Sequence, residues 1–516
     1  MSEGASRVEP GAAAWLGANR WNAGALASQR PQEWAAITFC YLFAALALRA
    51  VTFGNPVHID EQFYLLVGDR LLHGALPYVD IWDRKPIGLF LLYAGMRSLG
   101  GSGVIQYQIV AMLFAVATAL VINLLARRIA SPTAALLAGL LYLPYLSLFG
   151  CLGGQTPVFY NLPMALAVLA LCRRTDAKRL LASGLVPMAL TGLAIQIKYA
   201  VVFEGLALGL ALLWRAHRAG WALPRLTAAA LLWAGCALAP TLLALGFYAA
   251  AGHGGIFVQS NFVSIFQRDE PLHPALLRLV RWTLILSPLW LAILWAPGRD
   301  KDSRGADALP LLRWWGAAAI AGFLLFGTWL DHYVAPLLPP LLVLAAPALG
   351  WTGGRRYLTM LVALVGVIGA IANTIDQRSL FGSRAEIAYA GDAISRRLQG
   401  GCFYMFEGDD PVLYMTTRSC LMTRFVFPQH LTGSVETRAL GVDQLAEARR
   451  VLARRPAMVM TGAGCPGCLE NPAVLAMAAG VLARDYVMVE TVRIGRRSYR
   501  LFQRRDLAHA RLDRRA

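Results

Sequence analysis

The chain has 516 residues, of which 57% are hydrophobic and only 15% charged, a balance that excludes an ordinary soluble protein and points to a membrane protein with many crossings. Basic residues outnumber acidic ones by 48 to 30, a net charge of +18, and 44 of the 48 are arginine. In a soluble chain this excess would suggest nucleic acid. Here it falls in short loops between apolar runs, where it sets topology and meets anionic headgroups, so nucleic acid is not an expected partner. The Arg-, Ala-, Leu- and Gly-rich composition suggests a GC-rich bacterial genome.

Residues 1–32 are polar, contain Arg7, Arg20 and Arg30, and read as a cytoplasmic N-terminal tail. No small-residue cleavage site follows the first apolar run, Trp34 to Phe53, which is therefore expected to be a retained anchor. The next stretch, HIDEQFYLLVGDRLLHGALPYVDIWDRKP from His58 to Pro86, is unlike a simple connector. It contains the acidic pair Asp60 and Glu61, then Asp80, Asp83 and Lys85, one of only four lysines. The apolar spacing over 61–73 predicts an amphipathic helix lying along the membrane surface. Residues 87–99 are apolar but too short to cross a bilayer, which takes about 20 residues. They are expected to form a second interfacial or re-entrant helix.

Further spans are expected at about 104–126, 132–150, 156–172, 180–197, 199–214, 226–251, 279–296, 311–329, 334–350 and 357–375. With 87–99 not crossing, the basic clusters at 127–128, 173–179, 215–225, 299–304 and 355–356 all share the side of the N-terminus. The positive-inside rule then gives about eleven spans, with residues 54–103 and everything after about 376 outside. From about Phe381 charges become denser and β-like runs at 402–406, 456–462, 486–494 and just beyond alternate with helical stretches at 384–398, 443–454 and 472–484. This pattern predicts a small C-terminal α/β domain outside the membrane, structural or docking in role. The expected organisation is thus a tail (1–32), a transmembrane domain (33–376) with exterior loop 54–103, and an extracytoplasmic domain (377–516). Cys402, Cys420, Cys465 and Cys468 fall in that domain, where two disulfides are the first expectation and zinc, from the CxxC spacing at 465–468, the second.

The ionisable residues predicted at the outer face near membrane depth are Asp60, Glu61, Asp80, Asp83, Lys85, Lys198, Asp331 and His332. Such groups are costly there and default to a functional hypothesis. Lys198, flanked by LTGLAIQI and YAVVF, is either a snorkelling lysine or a ligand for an anion. Asp331-His332-Tyr333 is either a span cap or a substrate contact. Carboxylates and lysines on one face suit transfer from a phosphate-linked donor. A carboxylate takes the proton of the attacking hydroxyl, and cations offset charge on the departing phosphate.

Asp60-Glu61 in the first exterior loop, followed by Trp82-Asp83-Arg84-Lys85-Pro86 and a short apolar helix, resembles the GT-C glycosyltransferases that use polyprenyl-phosphate sugars. That group includes protein O-mannosyltransferases, the lipid A aminoarabinose transferase and rhizobial lipopolysaccharide core transferases. GLAIQIKYAVVF is similar to the group's lysine-bearing turn, DHYVAPLLPPLLVL to its HYxLPLLPP span, and 411–428 to the exterior tail of bacterial members. Ile87 stands where a second proline is usual, and Tyr199 where glycine follows the lysine.

The resemblance implies Asp60 as the catalytic carboxylate, with Glu61 its partner. It implies Lys85 and Lys198 near the donor phosphate, and Asp83, His332 and Tyr333 as further substrate contacts. It implies transfer, with inversion, of a sugar from a polyprenyl-phosphate donor to an envelope glycolipid, polysaccharide or protein, by a multi-pass enzyme of the bacterial inner membrane. A divalent metal stays open, since no ligand set has diagnostic spacing. The rival class is a transporter or flippase, against which stands the absence of paired, Gly/Pro-broken spans in two similar halves. A non-catalytic relative serving as an assembly partner is a third alternative.

Overall fold

A computed structural model describes residues 31–173, 176, 178–296, 308–462 and 469–512. The membrane part is a bundle of apolar helices. Pro31–Arg49 is followed by the loop helices Ile59–Leu72 and Ile87–Ser98. Next come Val104–Ala126, Pro132–Leu148, Thr156–Leu171, Leu180–Ile195, Val202–Arg218 and Leu223–Ala250. Among the described residues, five helices are fit by length and composition to cross a membrane, or six if one bent pair counts as a single span. Ile87–Ser98, Pro132–Leu148, Thr156–Leu171 and Leu180–Ile195 are apolar but shorter. Every expected span coincides with a helix or chain of helical turns, while the count of eleven crossings goes beyond what helix length supports.

Burial sorts the bundle. The most apolar stretch of Val104–Ala126 is 61% buried and that of Leu223–Ala250 only 22%, so the first is central and the second faces outward. The span expected at 279–296 begins earlier and is broken. Leu272–Ile285 and Ser287–Leu294 meet at 53°, and Pro288 opens the second piece, where its missing N–H does no harm. The span expected at 334–350 is a short helix, Leu338–Ala345, with a 3-10 turn at each end.

The largest departure from expectation is the Ile59–Leu72 helix. It does not lie open along a surface: ten residues, including Glu61 through Asp69, are buried. One side packs on Ile87–Ser98 so closely that a Cβ at Gly68 would stand 2.7 Å from the Ala94 nitrogen. The other side meets the C-terminal domain, where Phe63 sits edge-on to Phe427 and the Gln62 amide reaches Asp410. An amphipathic pattern reports only that one face is apolar; here the polar face is covered by a domain distant in sequence.

That domain contains a four-stranded mixed sheet: β1 (Phe403–Met405), β2 (Met458–Thr461), β3 (Tyr486–Ile494) and β4 (Arg497–Arg504). Its order is β1-β2-β4-β3, with β1 parallel to β2 and the other pairs antiparallel. All four strands and the three helices expected from sequence are present. The helix Arg384–Leu398 opens with a capping box between Ser383 and Glu386. Side chains alternate across the sheet: Phe403, Met405, Met458, Met460 and Leu501 join the large core that continues into the bundle, while Tyr404 and Val459 join a smaller one. Cys402 and Cys420 form a disulfide. Cys465 and Cys468 lie outside the described residues.

Candidate active site

Asp60 stands in the first turn of Ile59–Leu72, whose N-cap is His58. The His58 Nδ1 accepts from the Asp60 N–H (3.2 Å) and lies 3.0 Å from the Gln155 Nε2, so it acts as an acceptor and the ring proton sits on Nε2. Gln155 also donates to the Asp60 Oδ2 at 3.0 Å. One carboxylate oxygen is thus fixed, and among the described residues no hydrogen bond holds Oδ1. Burial opposes ionisation of Asp60, but neighbouring charge, chiefly the Lys85 ammonium, and the Gln155 amide outweigh it and hold the carboxyl well below its usual range.

Two lysines distant in sequence meet here because the start of Ile87–Ser98 docks on the turn before Lys198. The Leu89 N–H donates to the Gln196 carbonyl (3.0 Å), and a Cβ at Gly88 would stand 2.5 Å from the Gln196 Cβ, so only glycine fits. Lys198 is 6% exposed, with its ammonium 3.6 Å from the centre of the Tyr333 ring. It does not snorkel to water. The Lys85 ammonium lies 5.5 Å from the Tyr64 ring. Among the described residues neither lysine forms an ion pair within 4.0 Å. Burial and Lys85 together push the Lys198 ammonium well below its ordinary pKa, and an arriving phosphate would reverse this. For Lys85, Asp83 and Asp60 outweigh burial and raise it.

His332 lies in a 3-10 turn, its Nδ1 3.1 Å from the Asp331 Oδ1. A carboxylate only accepts, so Nδ1 carries the proton. The ring stands edge-on to His58 at 6.1 Å between centroids. Asp60, Lys85, Lys198 and His332 therefore lie within electrostatic reach of one another, with Tyr333 against Lys198, the buried Asp83 beside Lys85, and a small cleft lined by Lys198 and Tyr333 at one side. Asp80 is exposed and closes a turn by accepting from the Leu76 N–H, outside the cleft.

Glu61 faces a different way. It is wholly buried behind Asp60, against the 150–155 loop, where a Cβ on Gly153 would stand 2.2 Å from its Oε2. The Gly154 N–H and the Tyr107 hydroxyl lie close, yet neither oxygen is in good hydrogen-bond geometry with a donor. Burial pushes its carboxyl up to about 7. Among the described residues no group of three His, Cys, Asp or Glu side chains is placed to hold a metal ion.

Sequence reasoning passed over His58 as a cap and Gln155 altogether. The signal for Gln155 was slight: a polar residue after two glycines, directly before the Thr156–Leu171 helix, which it also caps. It also passed over Arg84, whose guanidinium pairs with Glu436 of the C-terminal domain, and Trp82, whose backbone N–H donates to the Arg424 carbonyl at 2.8 Å.

Residues 84–243 match the family described as dolichyl-phosphate-mannose-protein mannosyltransferase. No curated protein matches the sequence. Among solved structures, ArnT from Cupriavidus metallidurans bound to undecaprenyl phosphate superposes with a TM-score of 0.59 at 17% identity, covering 92% of this chain and 98% of that one. The archaeal oligosaccharyltransferase AglB from Archaeoglobus fulgidus, in complex with an inhibitory peptide and a dolichol-phosphate, gives 0.51 at 12% identity, covering 83% and 69%. Over residues 84–243 the chain is thus similar to this mannosyltransferase family, and over most of its length it shares the fold of ArnT.

Proposed function

We propose that this protein is a membrane glycosyltransferase that moves a sugar from a polyprenyl-phosphate donor to a hydroxyl of an envelope glycolipid, polysaccharide or protein. The observation that carries the reading is the cluster itself: a carboxylate with one oxygen tethered by Gln155, near two lysines that rest on aromatic rings with no carboxylate of the described residues within ion-pair distance. A buried lysine held below its ordinary pKa by burial and a second lysine lowers stability, and an anionic ligand explains the retention of Lys198. The free Asp60 oxygen takes the proton from the acceptor hydroxyl as it attacks the anomeric carbon from the face opposite the leaving group, giving inversion. Lys85 and Lys198 offset the charge growing on the departing phosphate. Asp83 keeps Lys85 charged, and the Asp331–His332 pair holds His332 and Tyr333 against the cleft. Glu61 supports Asp60 from behind, filling the space under the 150–155 loop that delivers Gln155.

The relative bound to undecaprenyl phosphate and the one bound to dolichol-phosphate favour this donor class over the transporter reading. The reading puts the cleft and the C-terminal domain on the periplasmic side of the bacterial inner membrane. Mass analysis of envelope glycolipids, glycans and lipid-linked sugars from cells with and without the gene tests it. The expected result is one glycan short of a sugar, together with accumulation of the lipid-phosphate sugar. Unchanged glycans with a lipid-linked substrate stranded on one side of the membrane would favour a transporter.

A further inference from the structure

Arg84 and Lys85 are adjacent in sequence but have opposite fates. Lys85 is left without an ion-pair partner, whereas Arg84 is paired with Glu436 by both of its terminal nitrogens. Glu436 also accepts from the Arg268 Nε at 3.1 Å. One carboxylate of the exterior domain therefore joins the first exterior loop to the segment that carries Arg268, and it is about nine-tenths buried in doing so. Against the cost of burial, Arg84, Arg268 and the nearby His430 hold it ionised, down at about 2. His430 stacks edge-on to Trp82, 4.7 Å between centroids, two residues before Arg84. Fixing Arg84 thus fixes the Trp82–Pro86 segment that presents Lys85.

Resting on the donor reading above, we propose that Glu436 is a positioning residue for phosphoryl-lipid turnover. It binds Arg84, and together with Glu270 (3.6 Å from the Arg268 guanidinium) it binds Arg268, so that the phosphate site meets two cations rather than three, keeping the leaving lipid phosphate releasable. Without its negative charge, Arg84 would add to the field of Lys85 and Lys198, while Arg268 keeps Glu270, because a low-dielectric site transmits charge over several ångströms. The product phosphate would then be held too tightly, and its release would limit turnover. The exterior domain is, on this view, part of the catalytic apparatus and not only a docking module.

Glu436→Gln removes the charge and keeps the volume. In full-length protein in detergent, with undecaprenyl phosphate as probe, the variant should bind the probe about 3- to 20-fold more tightly, more so at low salt, while sugar transfer slows. A Glu436→Asp protein should lie between the variant and wild type. Adding Arg84→Gln to Glu436→Gln should move probe affinity back toward wild type, which loss of structure would not do. Probe binding that weakens in step with thermal stability, or stays unchanged in Glu436→Gln, overturns the proposal while leaving the donor reading intact. Failure of the wild-type protein to bind the probe overturns the donor reading and the role of Glu436 with it.

Discussion

The cleft and the seam between the loop of residues 54–103 and the C-terminal domain handle buried charge in opposite ways. Along the seam, charges are matched: Arg84 and Arg268 with Glu436, Arg497 with Asp410 at 2.9 Å, Arg70 with the carbonyls of Tyr414 and Ser419. In the cleft, Lys85 and Lys198 rest on aromatic rings, and Asp60 keeps an oxygen free. Matched buried pairs hold geometry at little net gain in stability, whereas unmatched ones are a standing cost. The difference marks the seam as scaffold and the cleft as the place where a charged substrate completes the structure.

Removing the unmatched charge should have the largest effect. Lys85→Met with Lys198→Met keeps the apolar stems and deletes both cations. Charge-assisted contacts of this kind contribute about 1.5–3 kcal/mol each, so donor binding and transfer together should fall about 10²–10⁴-fold. Thermal stability should hold for Lys198→Met alone, because a cation that burial disfavours is gone, whereas losing Lys85 leaves the buried Asp83 without its main charge partner and should lower it. Direct binding assays and melting curves check both statements; a double variant with full activity would break the contrast between cleft and seam.

Next in size is Gln155→Leu, which fills the same space without holding Asp60. Transfer should drop roughly 10-fold, about the worth of one hydrogen bond to a charged group, with undecaprenyl phosphate affinity nearly unchanged. Parallel rate and binding measurements separate the two. The smallest effect is expected at Glu61. Its folded pKa, raised to about 7 by burial, exceeds that of an unfolded glutamate, so between about pH 4.5 and 7 the folded state binds more protons. Stability should fall as pH rises through that window, by roughly 1–3 kcal/mol in all. Glu61→Gln should flatten the slope; melting temperatures across pH 5–8 test this.

The bundle and the sheet were legible because their signals are local: apolar runs, basic turns and period-two strands each act over a dozen residues. Asp60, Lys85 and Lys198 were legible as costly charges beside apolar segments, and the resemblance to a known group gave them roles. Gln155 and Glu436 were not, since a glutamine after two glycines or a glutamate in a polar loop has no local oddity. Their meaning arises only when the 150–155 loop passes beneath Asp60 and the exterior domain closes on Arg84. The Ile59–Leu72 helix was misread for the same reason, its polar face being covered from more than 300 residues away.

The central claim is that the free oxygen of Asp60 is the base. It is tested most directly by Asp60→Asn in purified protein, given a radiolabelled polyprenyl-phosphate sugar and an envelope acceptor fraction. Sugar transfer and release of polyprenyl phosphate are followed together with binding of undecaprenyl phosphate. The account predicts transfer and release reduced about 10²–10⁴-fold, with expression, melting temperature and lipid-phosphate binding close to wild type. An Asp60→Asn protein that transfers sugar at near wild-type rate would contradict it.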